Sequence, residues 1–269
     1  MGRSREAGAV AAAHPAASGR TAPAGRQTCK EAVFLSAKNQ MSENGLFRHP
    51  FSRAYWRQAA SELKNTRMLI FAALMVALRV ALKSLAIPIA PNLQISVGFF
   101  VNAFGAMVFG PVVALLGAAL SDTLGCILFP SGPYFFPFIF VEMASSLIFA
   151  LLLYRTNVTT ARVILSRFCI DFFVNIVLQT PIMYLYYQMV LGRNYTILNT
   201  ARIIKNLVLF PIESVLLVLF LQAVIPAVKR LGFLKTGTEQ LKISRKNVII
   251  LSVTAAIGIA MVALWLANR

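Results

Sequence analysis

The chain has 269 residues, 58% of them hydrophobic and 13% charged, against about 25% charged in ordinary soluble domains. Uncharged runs at 84–121, 123–141, 172–192 and 247–268 match the roughly 20 apolar residues that a spanning helix needs. These runs exclude a soluble enzyme or a nucleic-acid-binding body, and the formal charge of +17 gathers just outside them, the pattern of a multi-pass cell-membrane protein.

In chain order, residues 1–40 are rich in Ala, Gly, Arg, Ser and Pro without a helical period, which predicts a disordered extension with Met41 as a candidate native start. Residues 41–67 mix Phe47, Phe51, Tyr55 and Trp56 with Arg48, Arg53, Arg57, Lys64 and Arg67 and read as a cytoplasmic, interfacial segment. Helices are expected at about 68–87, 97–109, 111–128, 136–154, 162–190 and 203–228. Together they make a membrane core over 68–230. A basic linker at 231–246 leads to an additional span within 247–269. Gly110-Pro111 separates two short spans, and Pro91-Asn92 and the stretch 130–133 mark turns.

Orientation follows from Lys and Arg. The loops at 88–96 and 129–135 carry neither, whereas Arg155, Arg162 and the cluster at 229–246 lie on the other side with the N-terminus, which places that side in the cytoplasm. Arg193 and Arg202 break this rule on the outer side.

No G-x-x-x-x-G-K-[ST] occurs, so the chain has no P-loop of its own. His14 and His49, the only histidines, precede the first span, which leaves no intramembrane Ser-His-Asp or H-E-x-x-H arrangement. Cys29, Cys126 and Cys169 show no C-x-x-C spacing. No metal or cofactor is expected.

Ionisable residues within apolar segments cost about 2.5–3.5 kcal/mol each at the bilayer centre, so each needs a partner or a purpose. They are Arg79, Lys83, Asp122, Glu142, Arg167, Asp171, Arg202, Lys205 and Glu213. Arg167 and Asp171 are spaced to pair on one helix, and Asp122 suits a bond to a neighbouring helix. Lys83, Arg202 and Lys205 fall near outer helix ends, where they either meet an external anion or snorkel to the interface. Ala73, Ala77 and Ala81 form a smooth face for internal packing or for a partner helix. Gly110, Ala114, Gly117, Ser121 and Gly125 form a second stripe, suited to internal packing. The aromatic and proline-rich loop 129–138 is either an interfacial belt or a wall for a flat ligand.

Asn92-Leu93-Gln94-Ile95-Ser96, Gly110-Pro111, Ser121-Asp122-Thr123-Leu124-Gly125, Leu128-Phe129-Pro130-Ser131-Gly132-Pro133-Tyr134-Phe135 and Ala201-Arg202-Ile203-Ile204-Lys205-Asn206-Leu207 with Pro211-Ile212 occur in this order. The set resembles the folate-type substrate-binding (S) component of energy-coupling factor (ECF) vitamin transporters. The resemblance implies an all-α integral membrane protein with a six-helix S-component core, to which the C-terminal helix is an addition. It implies a non-catalytic subunit that captures folate or a related planar vitamin at the outer face, with a transmembrane coupling subunit and two ATPase subunits as partners. By position, Arg202, Lys205 and Asn206 would form the polar end of the pocket, with Tyr134 and Phe135 in the gate or pterin wall. Ala73, Ala77 and Ala81 would dock the coupling subunit. Asn175 and Gln179 offer amides to a pterin edge, and Lys83 joins the substrate-binding set. Gln94 stands where the family usually has arginine, Gln179 where it has asparagine, and Phe136-Pro137-Phe138-Ile139 replaces a glycine and a hydroxyl. A rival reading is an autonomous secondary transporter or channel relaying protons or cations through Asp122, Glu142 and Glu213. A third is an intramembrane enzyme using Glu142 or Glu213 as a base.

Overall fold

The computed structural model describes residues 52–83, 85–90, 93–130, 132–193, 200–230 and 245–267. The expected extension at 1–40 and most of the 231–246 linker lie outside them.

Ser52 opens α1 (Arg53–Ser61) by accepting a hydrogen bond from the Tyr55 amide at 3.2 Å, the usual role of a serine N-cap. A 3-10 turn, Glu62–Lys64, follows, and the chain bends by 86° into α2 (Thr66–Lys83). Arg53, Arg57, Lys64 and Arg67 are exposed while Tyr55 and Ala59 are buried, so α1 is amphipathic as its sequence predicts.

The sequence reading carries the first span to about 87 and leaves 88–96 as a loop. The chain departs from both expectations: α2 ends at Lys83, and β1 (Ala86–Ala90) pairs antiparallel with β2 (Leu93–Ser96), Ala86 opposite Ser96 and Ile87 opposite Ile95. Pro88 is tolerated because a two-stranded ribbon has only edge strands. The backbone amides thus find partners in a ladder instead of in a further turn of helix.

Helix α3 (Gly98–Leu128) is broken at Gly110, whose φ of 79° and ψ of 179° interrupt the helix. Two properties localise the break. Pro111 has no amide hydrogen to lose, and a Cβ on Gly110 would lie 2.8 Å from the Tyr154 ring, so a side chain there meets both positive φ and overlap. Helix α4 (Phe138–Leu153) packs extensively against α3. It ends at Tyr154 and Arg155, the latter at φ 47°. That unusual conformation is held by an ion pair from buried Arg155 to Glu62 at 2.9 Å, while Tyr55 Oη donates to the Ala150 carbonyl at 3.0 Å. These contacts tie α1 to the end of α4.

Residues 160–189 form one helical run in three parts: α5 (Thr160–Cys169), a π-helical segment (Ile170–Leu178) and α6 (Gln179–Met189). The uniform helix expected at 162–190 is therefore wound more widely in its centre. Helix α7 (Thr200–Arg230) crosses behind it, and α8 (Arg245–Ala267) packs on α7 where Gly258 rests against Pro211 and Ile212. Among the described residues two helices are long and apolar enough to cross a membrane, α3 and the Arg202–Arg230 part of α7, with mean hydropathy 2.1 and 2.4. Helix α4 and the stretch Val248–Leu264 are shorter apolar helices.

The result is an all-α membrane bundle with one small hairpin. Its outside is greasy: Ile70, Leu74, Leu120, Ile127, Phe173 and Ile259 are all exposed. Its inside holds Phe104, Met107, Phe149, Leu217 and Leu221 together with Asn102, Asp122, Arg167, Asp171 and Glu213. Lipid is as apolar as leucine, so association relies on close packing and polar contacts. The glycine stripe on α3 supplies the close packing. A Cβ on Gly117 would sit 3.3 Å from Val76, and Gly125 lies against the stem of Lys83.

Candidate functional site

The buried polar residues are not scattered. A chamber of about 220 Å³ is lined from α2 by Arg79 and Lys83, from β2 by Ser96, and from α3 by Gly98, Phe99, Asn102, Ser121 and Asp122. Glu142, Ser145 and Phe149 of α4, Arg167, Ile170 and Asn175 of the 160–189 run, and Glu213 of α7 complete it. Every wall residue that carries charge is held by an opposite charge. Arg79 bonds Glu142 at 2.9 Å, Lys83 bonds Asp122 at 2.8 Å, and Arg167 bonds both Glu213 and, at 3.1 Å, Asp171. Arg167 also lies over the Phe99 ring, 4.9 Å from its centroid, within cation–π range. In a low-dielectric bundle such pairing is the condition for keeping ionised groups at all.

The π-helical segment has a local purpose here. Eight positions separate Arg167 from Asn175, which at 3.6 residues per turn leaves them about 80° apart around an α-helix. The i→i+5 turns of a π-helix hold more residues each and close that gap, so both side chains line the chamber. Asn175 Nδ2 donates to Asp171 Oδ1 at 2.9 Å.

Two polar atoms of the wall have no hydrogen-bond partner among the described residues, Asp122 Oδ2 and Arg167 Nε. Asp122 is 5% and Arg167 7% exposed, so water does not reach these atoms freely. A buried polar atom left unpaired costs about 1–3 kcal/mol. Both residues line the chamber, so its wall holds one acceptor and one donor in need of a partner.

Of the eight residues expected to bind substrate, Lys83 and Asn175 line the chamber. Arg202 stands behind its wall, donating to the Asn175 carbonyl and, at 3.4 Å, to Thr180. Lys205 and Asn206 follow on the next turn of α7, half-buried, and Gln179 adjoins Thr180. In the 129–138 loop Tyr134 is exposed, while the Phe135 ring packs against Phe138 and Tyr186, with centroids 5.8 and 5.6 Å away. This aromatic knot joins the loop to α6. The side chain of Gln94 lies outside the described residues. The sequence reading assigned Arg167, Asp171 and Asp122 to packing and passed over Arg79, Glu142 and Glu213 as ligand-facing groups. All six are ionisable residues in apolar segments, and that signal pointed to five chamber-lining residues, with Asp171 immediately behind them.

Ala73, Ala77 and Ala81 are exposed. They floor an apolar groove of about 650 Å³ between α2 and α3, walled by Leu116, Leu120 and Leu124.

The chain is similar in sequence to known proteins. The chain is 28% identical over 155 residues to the folate transporter FolT of Clostridium novyi, covering 58% of this chain and 88% of that protein. It is 29% identical over 151 residues to the folate transporter FolT of Leuconostoc mesenteroides, covering 55% and 81%. A crystal structure of FolT bound with folic acid is similar at 28% identity and a TM-score of 0.48, over 56% of this chain and 88% of that one. The model of the family described as ECF-type riboflavin transporter, S component, matches residues 63–225, from the turn before α2 to near the end of α7, and the chain belongs to that family of transporter S components.

Proposed function

We propose that this protein is the substrate-capture subunit of an ATP-driven vitamin importer and that its ligand is folate. The observation that carries the reading is the chamber, a polar site inside an apolar bundle, with an orphan donor and an orphan acceptor among its lining residues. The two FolT relatives support folate, although the family's own description names riboflavin. A volume of about 220 Å³ falls below the roughly 300–1,000 Å³ of sites that engulf a whole drug-sized ligand. The chamber therefore takes one end of the vitamin, and the rest extends toward Arg202 and Lys205, whose charges suit the glutamate carboxylates.

In this reading the N-terminus is cytoplasmic, the chamber opens outward, and the chain performs no catalysis. The alanine face of α2 docks the transmembrane coupling subunit, and energy comes from two ATPase subunits. The chain would then comprise a 1–40 extension, a 41–67 interfacial segment, a 68–230 core, a 231–246 linker and a final span. The rival secondary transporter is less well supported, because Asp122, Glu142 and Glu213 are each tied to a cation and none is poised as a free relay group.

The test is binding of radiolabelled folate to the purified chain, with riboflavin and thiamine as controls. Saturable folate binding competed by unlabelled folate alone is the expected outcome. Riboflavin binding with no folate binding would replace the ligand, and folate uptake into liposomes by this chain alone would replace the mechanism.

A further inference from the structure

We propose that Asp122 selects the ligand by accepting hydrogen bonds from the 2-amino-4-oxopyrimidine edge of a pterin, and that this carboxylate is what turns an S component away from flavin-type dione rings. The inference rests on the folate reading above and deepens it.

Asp122 sits in the Ser121-Asp122-Thr123 turn of α3 with its carboxylate on the chamber wall. Lys83 anchors Oδ1 at 2.8 Å, which holds the carboxylate in place. Oδ2 has no partner among the described residues, although the residue is 5% exposed. Each carboxylate oxygen has two lone-pair sites, so Oδ1 can serve Lys83 and a ligand together while Oδ2 serves the ligand alone. The complement is a pair of adjacent N–H donors in one plane.

A pterin has that pair, the 2-amino N–H beside the ring N3–H. A pyrimidinedione, the edge found in a flavin, has N3–H flanked by two carbonyl oxygens, and a carboxylate facing it sets oxygen lone pairs against oxygen lone pairs. A site built to receive a hydrogen bond rejects the analogue that lacks the donor far more strongly than an apolar pocket rejects a misfit. The glutamate end of folate does not compete for this place. A ligand carboxylate offers only acceptors, and Asp122 Oδ2 needs a donor. The orphan donor, Arg167 Nε, supplies what the remaining ring acceptors need.

The test measures competition against radiolabelled folate by pterin-6-carboxylate and by lumazine-6-carboxylate, which differ in exchanging the 2-amino group for a carbonyl, with a hydrogen gained at N1. The wild-type chain should prefer the pterin about 10- to 100-fold, the range for a hydrogen bond to a charged group. In Asp122→Asn, which offers one donor and one acceptor, the preference should collapse or invert, while Glu142→Gln should weaken both competitors and leave their ratio unchanged. Equal competition by the two compounds on the wild-type chain overturns the proposal, and this arm does not depend on any variant folding. An Asp122→Asn chain that binds folate and keeps the pterin preference overturns the role of Asp122 and leaves the folate reading intact. A wild-type chain that binds riboflavin and neither folate nor pterin overturns both.

Discussion

Helix α2 shows two faces of opposite chemistry. One turns Arg79 and Lys83 into a chamber whose charges are all matched. The other turns Ala73 and Ala77 outward over a groove with hardly any polar lining. In water the first arrangement would be unusual and the second a hazard, because exposed apolar surface invites association. In a bilayer the values reverse: the polar face must be enclosed, and the apolar face is indifferent to lipid until a closely fitting partner arrives. The two faces therefore answer to different tests, one to ligand and charge, the other to shape.

The most damaging way to break the polar face is Arg167→Met. It strands Glu213 and Asp171 without their cation, and removing one partner of a buried pair costs about 3–5 kcal/mol. Thermal unfolding of the purified protein should show the loss, and adding Glu213→Gln to the same chain should recover part of it. Arg202→Ala should weaken folate by about 1.5–3 kcal/mol in a direct binding measurement. Unchanged affinity would limit Arg202 to bracing the Asn175 carbonyl. Tyr55→Phe removes the bond to the Ala150 carbonyl and should cost about 0.5–1.5 kcal/mol of stability, read as a small fall in melting temperature with ligand affinity unaltered. The gentlest perturbation sharpens the contrast most. Ala77→Trp fills the groove, should leave folate affinity within about twofold, as surface substitutions do, and should abolish copurification with the coupling subunit. Equal copurification would remove the docking role from that face.

Much of the fold was legible from the chain. Uncharged runs located the helices because a bilayer imposes length and apolarity on each segment, and Gly110-Pro111 marked its break because both residues are poor helix formers. The hairpin at 86–96 was missed. Its Ala-Ile-Pro-Ile-Ala run reads equally as loop or strand, and pairing between segments leaves little trace in local composition. The π-helical centre was missed for a related reason, since helical winding depends on what the side chains reach. The site was legible in kind and less so in place. The costly ionisable residues were all flagged, yet which of them meet was a property of five elements converging. Arg79 and Glu142 are 63 positions apart, and Arg167 and Glu213 are 46 apart. A resemblance by motif drew attention to α7 and the 129–138 loop, while the most enclosed charged groups of the site are Asp122 of α3, Arg167 and Asp171 of the 160–189 run, and Glu213 of α7.

The widened winding at 170–178 also bears on how this chain should be aligned with its relatives. A π-helical stretch holds the residues of an α-helix plus extra ones, so it behaves as an insertion that never leaves the helix. A gap placed inside this helix is then a physical event. Deleting one residue there should relax the stretch to α-helix and leave α6 facing nearly as it does now, because seven α-helical positions bring Arg167 and Asn175 to within about 20° of one face. The contacts of Tyr186 with Phe135 and Phe138 should then survive the deletion, and the aromatic knot marks where the helix regains the register of a chain one residue shorter.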